Sequence, residues 1–326
     1  MELIKAEELK LSPILRNIGS DIVIKMFMSV FKINRINQIY AENHNKPLQE
    51  FLDNILNEIG VNYNISDIDF EKIPRTGPFI IVANHPYGGL DGIILMHALL
   101  KIRPDLKVMT NYLLQRIEPI KEHIIATNPF EVLTATKDNI RGLKACIEHL
   151  EKRQCLAIFP AGEVSTYQQG YNVIVDRKWQ KNTIKLIAIT KVPVVPIHFS
   201  GTNSTLFHWL GFIHPVLRTA KIPSELLNKN KKNINVRIGS PIPASELELF
   251  DLSKLGRYLR AKTYALGSTT NVNLFFPFRG NKKEEVIPKI LTNLLLGDIK
   301  NLPKKYELFR HKKFVVFAAH QLLFPK

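Results

Sequence analysis

The stretch Ala83-Asn84-His85-Pro86-Tyr87-Gly88-Gly89-Leu90-Asp91-Gly92 holds the residue types best suited to chemistry. It falls where an apolar run, FIIVAN (79–84), gives way to a helical pattern, DGIILMHALL (91–100). In open α/β sheets that boundary is where ligands sit. A histidine there can take a proton from a hydroxyl or an amine. To do so it needs one fixed tautomer, held by a partner that accepts from its other ring nitrogen and stabilises the imidazolium. Asp91, at the start of the next helix, can be that partner for His85. Gly88 and Gly89 permit the tight backbone that brings the two together. The same residues also admit a purely structural reading, with Asp91 capping the helix and His85 a satisfied turn residue.

Two further motifs follow. Phe159-Pro160-Ala161-Gly162-Glu163-Val164-Ser165 continues the apolar run CLAIF (155–159). Backbone N–H groups around a glycine turn can face an oxyanion or an anionic head group. Glu163 can orient an acceptor, hold the loop, or simply be solvated. The third motif is Val192-Pro193-Val194-Val195-Pro196-Ile197, whose prolines predict an edge or barrel-like strand.

The elements that must position these loops can be read from periodicity. Strand candidates are FIIVAN, LKVMT (106–110), CLAIF, VPVVPIHF (192–199) and NINVRIG (233–239). Helical patterns at 91–100, 137–152 and 183–190 alternate with them. The alternation predicts an α/β fold with a largely parallel core sheet flanked by helices, over residues 66–245. Before it, residues 1–65 predict an N-terminal amphipathic helical pair. One helix spans 12–33, with Ile14, Ile18, Ile22, Met26 and Val30 on one face. The other runs from Pro47 to Gly60. After it, 246–326 predicts a helical, basic C-terminal extension ending in the apolar FVVFAAHQLLF (314–324), which is too short to span a bilayer.

Composition narrows the partners. Lys and Arg total 45 against 29 Asp and Glu, a net charge of +16, so a polyanionic partner is favoured. That partner is a nucleic acid or an anionic membrane surface. For a nucleic-acid binder the basic residues should cluster with aromatics or on a recognition helix. They are spread instead, from Lys178 to Lys313, and no nucleic acid is expected. No run of about 18 apolar residues occurs, so a spanning helix is not expected. The start, MELIKAEELKLSP, lacks the pattern of a secretory signal. The two cysteines, Cys146 and Cys155, lie in apolar or helical context and read as reduced core residues. His97, His149, His198 and His320 have no partner that the sequence names.

NHPYGGLDG, FPAGEVS and VPVVPI resemble, in order and rough spacing, three blocks of the glycerol-phosphate/lysophospholipid acyltransferase (HX4D) superfamily. The nearest resemblance is to its hemolysin-like or lyso-ornithine-lipid acyltransferase subgroup. Asp176-Arg177-Lys178-Trp179 and GRYLRAKTYAL (256–266) also resemble that subgroup, so the likeness covers about 65–270. It implies an O-acyltransferase in which His85 is the general base and Asp91 orients it. The acceptor hydroxyl would attack the thioester of acyl-CoA or acyl-carrier protein without a covalent acyl-enzyme, and with no cofactor or metal. Asn84, Gly88, Gly89, Phe159, Pro160, Gly162, Glu163, Ser165 and Pro196 would contact substrate. An inactive lipid-binding relative is the non-enzyme alternative, and the intact His85/Asp91 pair argues against it.

Two departures from the family pattern matter. Five residues, rather than four, separate His85 from Asp91. Val164 replaces the arginine that the wider family uses for acceptor phosphate, and a branched alkyl group cannot make that bidentate contact. An amino-acid lysolipid (lyso-ornithine or lyso-glycine type) is therefore expected ahead of 1-acylglycerol-3-phosphate, and a zwitterionic head could pair its ammonium with Glu163. Arg116, Arg177 and Lys178 are the candidates for restoring the lost charge. A peripheral place on the cytoplasmic face of the inner membrane is expected.

Overall fold

The computed structural model describes residues 2–10, 21–127, 137–168 and 173–267. The chain opens with α1 (Ala6–Lys10), α2 (Asp21–Val30), α3 (Ile33–Asn43) and α4 (Leu48–Ile59). Next come β1 (Val61–Asn64), α5 (Asp67–Phe70), β2 (Phe79–Ala83), α6 (Gly89–Leu99), β3 (Lys107–Asn111) and β4 (Ile124–Thr127). Then follow α7 (Lys137–Glu151), β5 (Cys155–Ile158), the antiparallel pair β6 (Thr166–Gln168) and β7 (Val173–Val175), and α8 (Lys181–Thr190). The last elements are β8 (Val194–Phe199), α9 (Thr205–Ile213), α10 (Pro215–Leu227), β9 (Lys232–Ile238), α11 (Ala244–Leu247) and α12 (Leu252–Gly267).

Seven strands form one sheet in the order β1-β9-β8-β2-β5-β3-β4. Every pairing in it is parallel except β8 with β9. The expected largely parallel α/β architecture is present. All five residues of β2 are buried, because helices cover both faces of the sheet. Phe79, Ile81 and Ala83 face α4 and α6, while Ile80 and Val82 face α7, α8 and α12. Cys146 and Cys155 are free and buried, and burial pushes the Cys146 thiol up to about 12.

The N-terminal region departs from the sequence reading. The expected 12–33 helix is described from Asp21 and stops at Val30, because Lys32 turns into the left-handed region at φ 56°. A helix the periodicity did not reveal, α3, follows at once, and β1 adds an edge strand beside β9 from the segment read as helical. The 314–324 stretch and His320 lie outside the described residues.

Pro196 also departs from expectation. Its strand, β8, is interior and pairs with β2 on one side and β9 on the other. Proline is tolerated because its missing donor faces β9 where the ladder is broken. Gly239 N–H donates to the Pro196 carbonyl (2.8 Å), and β9 carries an extra residue between the Ile238 and Ile242 pairings. The fit needs glycine at 239, since a Cβ there would lie 2.7 Å from Pro196 Cγ. Gly239→Ala should therefore cost about 1–3 kcal/mol, from overpacking against a rigid ring. Thermal or denaturant unfolding of the purified variant checks this.

Candidate active site

The C-terminal ends of two adjacent strands, β2 and β5, carry the expected loops, and β8 flanks β2 on the other side. Asn84 terminates β2 and ties it to β8. Its Nδ2 donates to the Phe199 carbonyl (2.9 Å), and the Phe199 N–H donates to its Oδ1 (2.7 Å). Both halves of the Asn84 amide are thus engaged by backbone. His85 comes next, its ring stacked on Phe159 with centroids 4.2 Å apart. Nδ1 of His85 lies 3.0 Å from Oδ2 of Asp91, an ion-pair distance, although the N–H does not point straight along that line.

Asp91 also serves the helix. Its Oδ2 accepts from the N–H groups of Tyr87 (2.9 Å) and Gly88 (3.0 Å) at the start of α6. The carboxylate that caps α6 is thus the same one that stands 3.0 Å from His85 Nδ1. Asp91 is fully buried, and its Oδ1 has no hydrogen-bond partner among the described residues. Burial raises its pKa above the usual carboxylate range. His85 and the two backbone N–H groups oppose that shift. Between His85 and Asp91 the chain turns at Gly88, where φ is +82°. Gly89 is not constrained in this way, since a Cβ there would meet nothing within 4 Å.

The 159–165 loop meets the His85 loop directly, for Ser165 N–H donates to the His85 carbonyl (2.8 Å). Gln180 holds the base of the loop, donating its backbone N–H to Pro160 and its amide to Ala161, and it lies where a Cβ on Gly162 would be. Val164 is buried against Gly88 and near Ile222 of α10, as a Cβ on Gly88 would lie 3.1 Å from Val164 Cγ2 and 3.8 Å from Ile222 Cγ2. Pro196 lies elsewhere, on the sheet face shared with Val82 and opposite Ile197 and Phe199.

One residue outside the expected set joins these pieces. Asp176, fully buried, receives His85 N–H (3.1 Å) and the Ser165 hydroxyl (2.6 Å) on Oδ1, and the Trp179 indole N–H (3.1 Å) on Oδ2. Its own N–H donates to Tyr264 Oη (2.8 Å), and Arg260 donates to its carbonyl. The two stretches DRKW and GRYLRAKTYAL are thus halves of one cluster, and sequence marked them only as resembling a subgroup.

Glu163 is not a free carboxylate. Arg218 of α10 reaches its Oε2 at 2.7 Å, and Arg177 approaches Oε1 at 3.4 Å. The sequence reading does not name Arg218, a guanidinium that α10 brings to the residue next to Val164. Arg116 pairs with Glu8 instead. No short-range pattern links Arg218 to the loop, so only the fold could reveal it. Among the histidines without a named partner, His97 lies between Tyr63 Oη (2.6 Å) and Asp53 (2.5 Å), and His149 contacts the Cys155 carbonyl (2.9 Å).

Comparison with known proteins finds a family described as Acyltransferase, matching residues 10–272. The chain is 27% identical to a lyso-glycine lipid O-acyltransferase of Bacteroides thetaiotaomicron, over 71% of this chain and 84% of that one. It is 28% identical to a protein of the same name from Phocaeicola vulgatus, over 65% and 78%. Among solved structures, the 1-acyl-sn-glycerophosphate acyltransferase PlsC of Thermotoga maritima matches with TM-score 0.43 at 14% identity, over 74% of this chain and 94% of that one.

The cluster makes a stability prediction. Asp176→Ala leaves the His85 N–H, the Ser165 hydroxyl and the Trp179 indole without their acceptor. Each buried orphan costs about 1–3 kcal/mol, so the loss should reach about 3 kcal/mol or more. His85→Ala, which removes a partly exposed ring, should cost far less. Parallel thermal melts of the two variants separate the roles.

Proposed function

The chain belongs to the acyltransferase family, and from that premise we propose that His85 activates the hydroxyl of a lysolipid for attack on a fatty acyl thioester. Nε2 of His85 takes the hydroxyl proton as the oxygen attacks the thioester carbonyl. The tetrahedral oxyanion collapses, the C–S bond breaks, and the departing thiolate takes the proton from the imidazolium. An ester and a free thiol result, with acyl-CoA or acyl-carrier protein as donor. Asp91 keeps the proton of the neutral ring on Nδ1 and stabilises the imidazolium between the two steps. The observation that carries this reading is the 3.0 Å approach of His85 Nδ1 to a buried carboxylate, at the mouth of the central strands. Loss of the base should cost about 10²–10⁴-fold. His85→Ala should fall in that range with its fold intact, and Asp91→Asn should be severely impaired, because an amide cannot balance the imidazolium. Near-normal turnover of His85→Ala, measured as acyl transfer from a labelled donor, contradicts the mechanism.

For the acceptor we propose a lysolipid with an anionic amino-acid head of the glycine type. Arg218 and Arg177 against Glu163 leave a local excess of positive charge, so the site suits a carboxylate rather than an ammonium. A glycine head attached through its nitrogen presents a carboxylate and no cation, whereas an ornithine head adds an ammonium that the guanidiniums would repel. The names of the two relatives support the same choice. The alternative, 1-acylglycerol-3-phosphate, is favoured by the same guanidiniums, since they also match phosphate. The two readings separate on kcat/KM with one acyl donor. The glycine-type acceptor should lead, the ornithine type should trail, and a lead for the phosphate acceptor establishes the alternative. Arg218→Leu should lower kcat/KM for the preferred anionic acceptor by about 10–100-fold, the worth of one charged hydrogen bond.

We propose further that the protein works as a peripheral protein on the anionic cytoplasmic face of the inner membrane. The +16 charge supports this, at roughly 1 kcal/mol for each Lys or Arg close to such a surface. No helix among the described residues is long and apolar enough to cross a membrane.

A further inference from the structure

The outer face of α9 is apolar and exposed. Leu206, Trp209, Phe212 and Ile213 are each more than half exposed, while Phe207 and His208 turn inward. At about 100° per residue the four outward side chains share one sector of the helix, and Gly211 lies on the inner side with its Cβ position 3.0 Å from Arg218 Cδ. The helix is firmly anchored. Ser204 caps it by accepting the Phe207 N–H (3.2 Å), and Ser204 donates its hydroxyl to Glu225 (2.5 Å), itself paired with the buried Lys229 (2.9 Å). A rigid helix therefore holds an indole, a phenyl ring and two aliphatic chains out into solvent.

The surroundings indicate what covers them. Phe212 packs edge-on against Tyr167, in the strand that leaves the 159–165 loop, with centroids 5.6 Å apart. Arg218 lies beside Gly211 and reaches Glu163, and the exposed Arg177 and Lys178 follow Asp176. An apolar face thus borders a basic cluster at the head-group end of the proposed site. A bilayer of anionic lipid offers apolar chains beneath a negative surface, which is the complementary arrangement.

We propose that the α9 face of Leu206, Trp209, Phe212 and Ile213 inserts into the interfacial region of an anionic bilayer, so that a lysolipid reaches His85 while its chain remains in the lipid. This rests on the reading of the acceptor as a lysolipid and of the protein as peripheral to a membrane. It adds the surface that makes the contact. The indole and ring side chains belong at the boundary between head groups and chains. The site loops then stand just above the head-group plane.

The chain carries its own probe. It has two tryptophans, the exposed Trp209 and the buried Trp179. The full chain is mixed with vesicles of equal parts phosphatidylglycerol and phosphatidylcholine. Its tryptophan emission should shift to shorter wavelength, and brominated acyl chains should quench it. Trp209→Phe, which reports Trp179 alone, should show neither effect. The double variant Trp209→Ser/Ile213→Ser should lose about tenfold or more in vesicle partitioning, from the apolar area removed. Its turnover of a long-chain acceptor in vesicles should fall in step, and its turnover of a short-chain acceptor dissolved as monomer should be preserved. Vesicle binding with unquenched Trp209 and an unaffected double variant overturns the proposal and leaves the membrane reading standing. Failure of the wild-type chain to pellet with vesicles at low salt overturns both. Self-association that shields Trp209 without bromine quenching assigns the face to a second copy of the chain, and likewise overturns the proposal.

Discussion

The buried Asp176 is the residue on which the loop after β2, the loop after β5 and helix α12 meet. Its Oδ1 fixes the backbone of His85 and the hydroxyl of Ser165, and its Oδ2 holds Trp179. Its main chain is tied to Tyr264 and Arg260 of α12. A buried carboxylate is tolerable only when donors surround it. That requirement ties the loop after β2 to the loop after β5, and the main chain of the same residue adds the last described helix. The two loops leave neighbouring strands without regular structure of their own, and this shared acceptor helps to keep them in register. The direct bond from Ser165 N–H to the His85 carbonyl closes the arrangement.

Much of the core was legible because its signals are local. Alternating apolar strands and amphipathic helices need only a short window, and β2, β5, β8, β9, α6, α7 and α8 lie within a residue or two of where periodicity put them. The His85–Asp91 pairing was legible for the same reason, since both residues sit on one strand–turn–helix unit. The approach of the 159–165 loop was legible only through the order of motifs. It is a tertiary contact, and nothing in its composition encodes it.

The misses share a cause. Pro196 suggests a strand edge from sequence, because the bulge that accommodates it lies at Gly239, just past β9 and far along the chain. The break at Lys32 depends on a left-handed residue that is not glycine or asparagine, so no composition rule marks it. Val164 was read as the absence of a charge. In the fold it is a buried residue packed against Gly88, and a charge enters beside it from α10, through Arg218 on Glu163. Glu163 could be read as a free recognition group only while its arginine partners were unseen. Sequence reports the residue types available to a site; pairings across the fold determine which of them remain free to act.

His85 is held at its backbone N–H by Asp176 and at its carbonyl by Ser165, its ring lies against Phe159, and its Nδ1 stands 3.0 Å from Asp91. Few rotational states remain for it to lose. The entropy of ordering a catalytic side chain is of the order of the rotamer losses met in any folding reaction. Here it is met once, when the chain folds, and not again at each turnover. In the proposed reaction the imidazole would be in place before either substrate arrives, so the binding energy of the acceptor and of the acyl donor could go to bringing hydroxyl and thioester together. That is the condition under which an intramolecular geometry yields its large advantage in effective concentration.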